Sequence, residues 1–139
     1  MDKTSHLFVL TGGAQLIFAL FLAWVMIGTL HFKNSYPFKW VRSYRDLVKA
    51  HIDYLLMSLF LFAFFGISKI LKLEPHIFPV SLALYGSTVN PLGFLIPAFF
   101  PKIAQSSSFS LYRLFLYSGH LATTVGFCWI VLWWMSSLF

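Results

Sequence analysis

LVKAHIDYLLMSLFLFAFFG, residues 47–66, decides the fold class: a histidine and an aspartate stand at the head of an otherwise apolar run suited to a lipid bilayer. A helix needs about 20 apolar residues to cross a hydrocarbon core. Four stretches of the chain reach that length: Leu7 to Leu30, Ala50 to Leu71, Ile77 to Phe100 and Leu111 to Phe139. The expected fold is therefore all-α, a single four-helix transmembrane domain over residues 1–139.

Composition leads to the same class. Of 139 residues, 59% are hydrophobic and 10% charged, and the mean hydropathy is +0.79, too little polar surface to clothe a water-soluble globule of this size. The isoelectric point near 9.7 raises nucleic acid as a partner. Ten Lys and Arg scattered between apolar spans read instead as determinants of topology, so nucleic-acid binding is not expected. Cys128 is the only cysteine, which excludes an intrachain disulfide and a cysteine-based metal cluster. The first span is too long, too weakly basic in its lead-in and without a small-residue cleavage site to be a removable signal peptide.

Basic residues are divided unevenly. The link between spans one and two carries Lys33, Lys39, Arg42, Arg45 and Lys49, and the next link on that side adds Lys102 and Arg113, against Lys3, Lys69 and Lys72 opposite. Seven against three puts both basic loops in the cytoplasm and both termini outside, and the expected location is a bacterial inner (cytoplasmic) membrane. Trp40, Trp129, Trp133 and Trp134 fall near span ends, where interfacial aromatics anchor a helix. No tandem repeat is visible, and QSSSFS at 105–110 reads as a short polar turn.

Ionisable side chains within a bilayer cost roughly 2 to 3 kcal/mol even on the lenient insertion scale, so each needs a reason. Helical spacing puts Tyr54, Leu55 and Ser58 on the face of His51 and turns Asp53 elsewhere. Asp53 read as a first-turn carboxylate favours the helix dipole and can pair with Lys49. His51 either snorkels to the headgroups or serves as a ligand. In span three, Pro91 lacks an N–H and frees the Ser87 carbonyl beside Ser87, Thr88 and Asn90. This polar notch is either interhelical glue or a site. His120 in span four, with Thr123 and Thr124 on its face, reads as a histidine bonded to a hydroxyl or carbonyl, whereas His6, His31 and His76 fall at span ends. Gly12, Gly13 and Gln15 form a close-packing surface.

No pair of carboxylates faces a common membrane site, no three ligands converge for zinc, and HExxH, P-loop and GxGxxG motifs are missing from the sequence. What remains is one histidine able to ligate one metal in an apolar, aromatic-rich setting, which is what a haem requires.

Two blocks together resemble the small four-helix membrane isomerases that include styrene oxide isomerase and the hydroxylaminobenzene mutases. Ala50-His51-Ile52-Asp53 is similar to the Ala-His-x-acid start of span two in the mutase branch, and Leu84-Tyr85-Gly86-Ser87-Thr88-Val89-Asn90 to the family's Tyr-Gly-x-x-x-Asn segment. The resemblance implies a homotrimer holding haem b between subunits through His51, with ferric iron as the Lewis acid that turns an epoxide into an aldehyde or drives a mutase-type rearrangement of a small apolar or aromatic substrate. It further implies Asn90, Tyr54 and Tyr85 as catalytic pocket residues, with Asp53, Ser87, Met57 and Phe94 beside His51 as cofactor-binding residues. Met57 and Phe94 stand where the epoxide-isomerising branch has an asparagine and a tyrosine. Two other functions compete: a b-type haem electron carrier ligated by His51 and His120, against which His120 looks too deep, and a non-catalytic packing subunit of a membrane complex.

Overall fold

The computed structural model describes residues 3–105 and 111–138. The turn expected at 105–110 lies, from residue 106 on, outside the described residues. Four long helices carry the fold: α1 (Lys3–His31), α2 (Tyr44–Leu71), α3 (Ile77–Phe99) and α5 (Leu111–Ser136), with a short α4 (Pro101–Gln105) and a 3-10 turn (Phe38–Trp40) between them. All four long helices are apolar enough to cross a membrane. The chain is an integral membrane protein with an all-α, four-helix architecture. Successive long helices are neighbours: α1 packs on α2, α2 on α3 and α3 on α5, with a smaller contact between α1 and α3.

Span three agrees closely with its expected limits, and the last span ends three residues early. The largest shift is at α2, which begins six residues before the apolar run. Ser43 caps it: Asp46 N–H donates to Ser43 Oγ at 3.3 Å, and Ser43 Oγ–H donates to Asp46 Oδ2 at 2.6 Å. A capped polar turn extends a helix beyond its hydrophobic window at no cost in lipid. The first-turn carboxylate is therefore Asp46. Asp53 lies nine residues after the helix start, and the dipole reading of Asp53 does not hold.

Two kinds of seam join the helices. Between α3 and α5 the contact is backbone against backbone: a Cβ on Gly86 would stand 2.6 Å from Thr123 Cα, and one on Gly126 would stand 2.9 Å from Ala83 Cα. Between α1 and α2 side chains interlock, with Phe18 edge-on to Tyr54 at 5.0 Å and Gly12 against Leu61. Gly13 faces open space, so of the expected packing surface on α1 Gly12 and the buried Gln15 pack against neighbouring helices and Gly13 does not. Away from the basic end, α2 and α5 touch through rings: Phe64 meets Phe127 at 4.8 Å and Trp134 at 5.3 Å. Trp134 is 4% exposed, a core residue and not the interfacial anchor its position suggested. Trp40 and Trp129 are exposed, as anchors are.

One proline of α3 leaves a carbonyl that the fold serves from a neighbouring helix. Pro97 has no N–H for the carbonyl of Gly93, and Tyr112 of α5 donates its hydroxyl to that oxygen at 2.8 Å. Ala98 O, at the end of α3, accepts from the N–H groups of Arg42 and Ser43, tying the α2 cap to α3.

Candidate functional site

The polar residues of the membrane interior gather on α2 and α3 in three separate places. The first is a junction of three helices. Ser87 and Thr88 both donate their hydroxyls to Leu84 O, so they can only accept from elsewhere. Gln15 of α1 donates Nε2–H to both, at 3.1 Å each, and Tyr54 of α2 reaches Thr88 O at 3.4 Å. The notch at Pro91 is thus filled from α1, and Tyr54 meets the Thr88 carbonyl, one residue beyond the oxygen that Pro91 frees. Gln15 is 4% exposed and its Oε1 has no donor among the described residues. Gln15 belongs, with Gly13 and Gly12 two and three positions before it, to the packing surface expected on α1. Its position on the same face as Gly12 was legible, but its partners on α3 were not.

The second place is the α1–α2 seam. His51 is half-buried, and its Nδ1–H donates to the carbonyl of Ala19 at 2.8 Å. A carbonyl can only accept, so the neutral ring carries its free lone pair on Nε2. A histidine fixed through one nitrogen by a backbone carbonyl is the usual arrangement when the other nitrogen binds a metal.

The third is the opposite edge of α2. Residues two apart on a helix are about 200° apart, so Asp53 turns from α1 toward α3 and accepts a hydrogen bond from Asn90 Nδ2 at 3.3 Å. Lys49, one turn earlier, does not pair with it. The Lys49 ammonium approaches Asp46 at 3.9 Å and lies 5.4 Å from the Phe94 ring centroid. His120 of α5 donates its Nδ1–H to Leu116 O at 2.9 Å. Thr123 and Thr124 likewise bond back along their own helix.

The other expected pocket residues are dispersed. Tyr85 shares a hydrogen bond with Ser118 of α5 at 2.9 Å, on the far side of α3 from the Gln15 junction. Met57 is buried between helices, and Phe94 lies under Lys49. Within one chain, then, Tyr54 and Ser87 come together, Asp53 and Asn90 come together, and His51, Tyr85, Met57 and Phe94 each stand apart. The supposed difference in depth between His51 and His120 does not hold: a Cβ on Gly119 would lie 3.4 Å from Asn90 N, and Asn90 bonds Asp53, two residues from His51. His120 is near the level of His51, on the other side of α2. Among the described residues no group of three His, Cys, Asp or Glu side chains converges. Comparison with protein-family models, curated proteins and solved structures returned no match.

Proposed function

We propose that this chain is a haem-binding membrane protein that rearranges a small apolar or aromatic substrate, and that His51 Nε2 would hold the haem iron. The observation that carries the reading is the His51 Nδ1–Ala19 carbonyl bond. It selects the tautomer with a free Nε2 and raises the basicity of that nitrogen, which is how a ligating imidazole is prepared. Bound there, ferric haem b would supply a Lewis-acid centre able to polarise a substrate oxygen. The chain's own part is to hold the imidazole and exclude water. Ala19 O fixes the ring, and Phe18 and Phe21, stacked at 6.2 Å, add apolar surface one position before and two positions after Ala19. Asn90, committed to Asp53, acts as a positioning residue, and Tyr54, committed to Thr88, braces the α2–α3 contact. One ligating histidine on a half-buried edge encloses a planar cofactor only with a second wall, which favours a homotrimer or another symmetric assembly. The positive-inside distribution favours both termini outside a bacterial inner membrane.

A specific observation also favours the electron-carrier reading: His120 has the same locked tautomer as His51, through Leu116 O, and a similar level in the bundle. The two rings lie on opposite sides of α2, so such a pair would have to come from two chains. Absorbance of gently purified protein decides between these functions. A Soret band that His51→Ala removes and His120→Ala keeps supports the isomerase. A low-spin spectrum lost in either variant supports the electron carrier, and no Soret band in the native chain ends both. If haem is present, formation of phenylacetaldehyde from styrene oxide tests the reaction.

A further inference from the structure

The link between α1 and α2 is folded onto the end of the bundle. Phe38 lies against Gly28 of α1, where any Cβ would collide with its ring, and it faces Phe32 at 6.4 Å. The N–H groups of Arg42 and Ser43 both donate to Ala98 O at the end of α3, at 2.8 and 3.0 Å. Between these two anchors the 3-10 turn sets Trp40 edge-on to Tyr36 at 5.9 Å and the Lys39 ammonium 5.7 Å from the Tyr36 ring centroid. Both rings are exposed.

Charge at this end is unbalanced. Asp46 is the only acidic residue between Phe32 and Ala50, and Arg45 and Lys49 both approach it at 3.9 Å. Lys33, Lys39, Arg42, Lys102 and Arg113 are exposed and form no ion pair among the described residues. Lys102 stands four residues beyond Ala98, the residue to which Arg42 is tied. Four residues reach at most about 14 Å, so the link and the short α4 bring their cations to one corner of the bundle. Sorting loops across a membrane needs only a count of Lys and Arg and no fixed placement. Here the backbone bonds to Ala98 and the seat of Phe38 on Gly28 hold the cations in place.

We propose that the folded link and the start of α4 bind the headgroup of an acidic phospholipid, with Arg42, Lys39 and Lys102 toward its phosphate and Tyr36 and Trp40 toward its glycerol region. Tyr and Trp rings settle at headgroup level, which puts Lys39 and Arg42, their neighbours in the chain, at the depth of lipid phosphates. A guanidinium fork takes two phosphate oxygens at once, and a lysine adds a point charge. A zwitterionic headgroup brings its own ammonium, so a surface with surplus cations selects a lipid of net negative charge. A soluble polyanion would meet the same cations from water and would leave the exposed rings unused.

The test uses the full chain in neutral detergent micelles and a dansyl-labelled phosphatidylglycerol, read by energy transfer from tryptophan. Unlabelled phosphatidylglycerol should displace the probe at a concentration lower than phosphatidylcholine by a factor on the order of ten, and about 1 M salt, where the screening length falls to about 3 Å, should release it. Lys39→Gln combined with Arg42→Gln should weaken probe binding on the order of tenfold, and Lys102→Gln by about fivefold. Each set is read separately, so misfolding of one leaves the other decisive. Lys72→Gln, at the opposite end of α2, should change nothing. Gly28→Ala keeps every charge but displaces Phe38, and should weaken binding about twofold by loosening the prearranged link. Equal displacement by phosphatidylcholine would overturn the proposal, as would native affinity in the folded Lys39→Gln, Arg42→Gln protein. Displacement by inorganic phosphate, at constant ionic strength, as effective as that by phosphatidylglycerol would make this a free-phosphate site, and stronger displacement by polyglutamate would make it a docking surface for an acidic macromolecule. Either result would overturn the lipid assignment.

Discussion

The α3–α5 seam and the junction of α1 with α2 and α3 hold the same bundle together by opposite means. At α3–α5, glycines remove side chains so that the helices close: Gly86 against the Thr123 backbone, Gly126 against the Ala83 backbone and Gly119 against the Val89 side chain. At the other junction side chains do the joining, through Gln15, Ser87, Thr88 and Tyr54. Lipid offers no hydrophobic force to press helices together, so close van der Waals contact and interhelical hydrogen bonds are the two means available. The contrast teaches where the bundle can give. A glycine seam has no slack, because a single methyl meets backbone, whereas a polar junction has unused capacity in the unpaired Gln15 Oε1.

The strongest way to break this comparison is Gly86→Val. Its Cβ would meet the Thr123 backbone, and we expect a loss on the order of 3 kcal/mol or failure of α5 to pack, read as early loss of helicity on titration with SDS. Tyr112→Phe comes next. It removes the donor to the carbonyl that Pro97 leaves free, and the expected cost is about 1 to 2 kcal/mol by the same titration. Gln15→Met should cost less, about 0.6 kcal/mol, since two hydrogen bonds vanish together with an orphaned oxygen. A loss as large as that of Gly86→Val would mean that the polar junction is as unyielding as the glycine seam. The smallest effect sharpens the picture on α1 itself. Gly13→Ala, into open space, should gain about 0.5 to 1 kcal/mol from helix propensity. Gly12→Ala, with its Cβ 3.2 Å from Leu61 Cβ, should be less stable than Gly13→Ala by about 1 kcal/mol.

Legibility in the sequence followed the range of the interactions concerned. The four spans were readable because about 20 apolar residues in a row suffice for a membrane helix, a local property. The separation of His51 from Asp53 was readable too, because the helical repeat turns positions two apart to different faces. The start of α2 was missed because hydropathy does not register a cap, although Ser43 and Asp46 at their three-residue spacing carried the signal. The Tyr112–Gly93 bond had half of a signal: Pro97 announces a free carbonyl four residues back, but nothing near it in sequence names the donor. Trp134 was placed at an interface by its distance from the end of the helix, whereas its burial depends on Phe64, seventy residues away.

For the candidate site the division is sharper. Which polar groups lie in the membrane, and that Asp53 and His51 point apart, follows from composition and helical repeat alone. That Gln15 completes the Pro91 notch, that Lys49 chooses Asp46 over Asp53, that Asn90 bonds Asp53 and that His120 comes level with them was decided by how the helices pack. Each of these is a contact between residues at 3 to 73 positions' remove whose alternatives are equally good locally. A side chain with several partners in reach takes the one that the tertiary arrangement brings to hydrogen-bonding distance, because in a lipid-embedded core an unmade bond has no water to replace it.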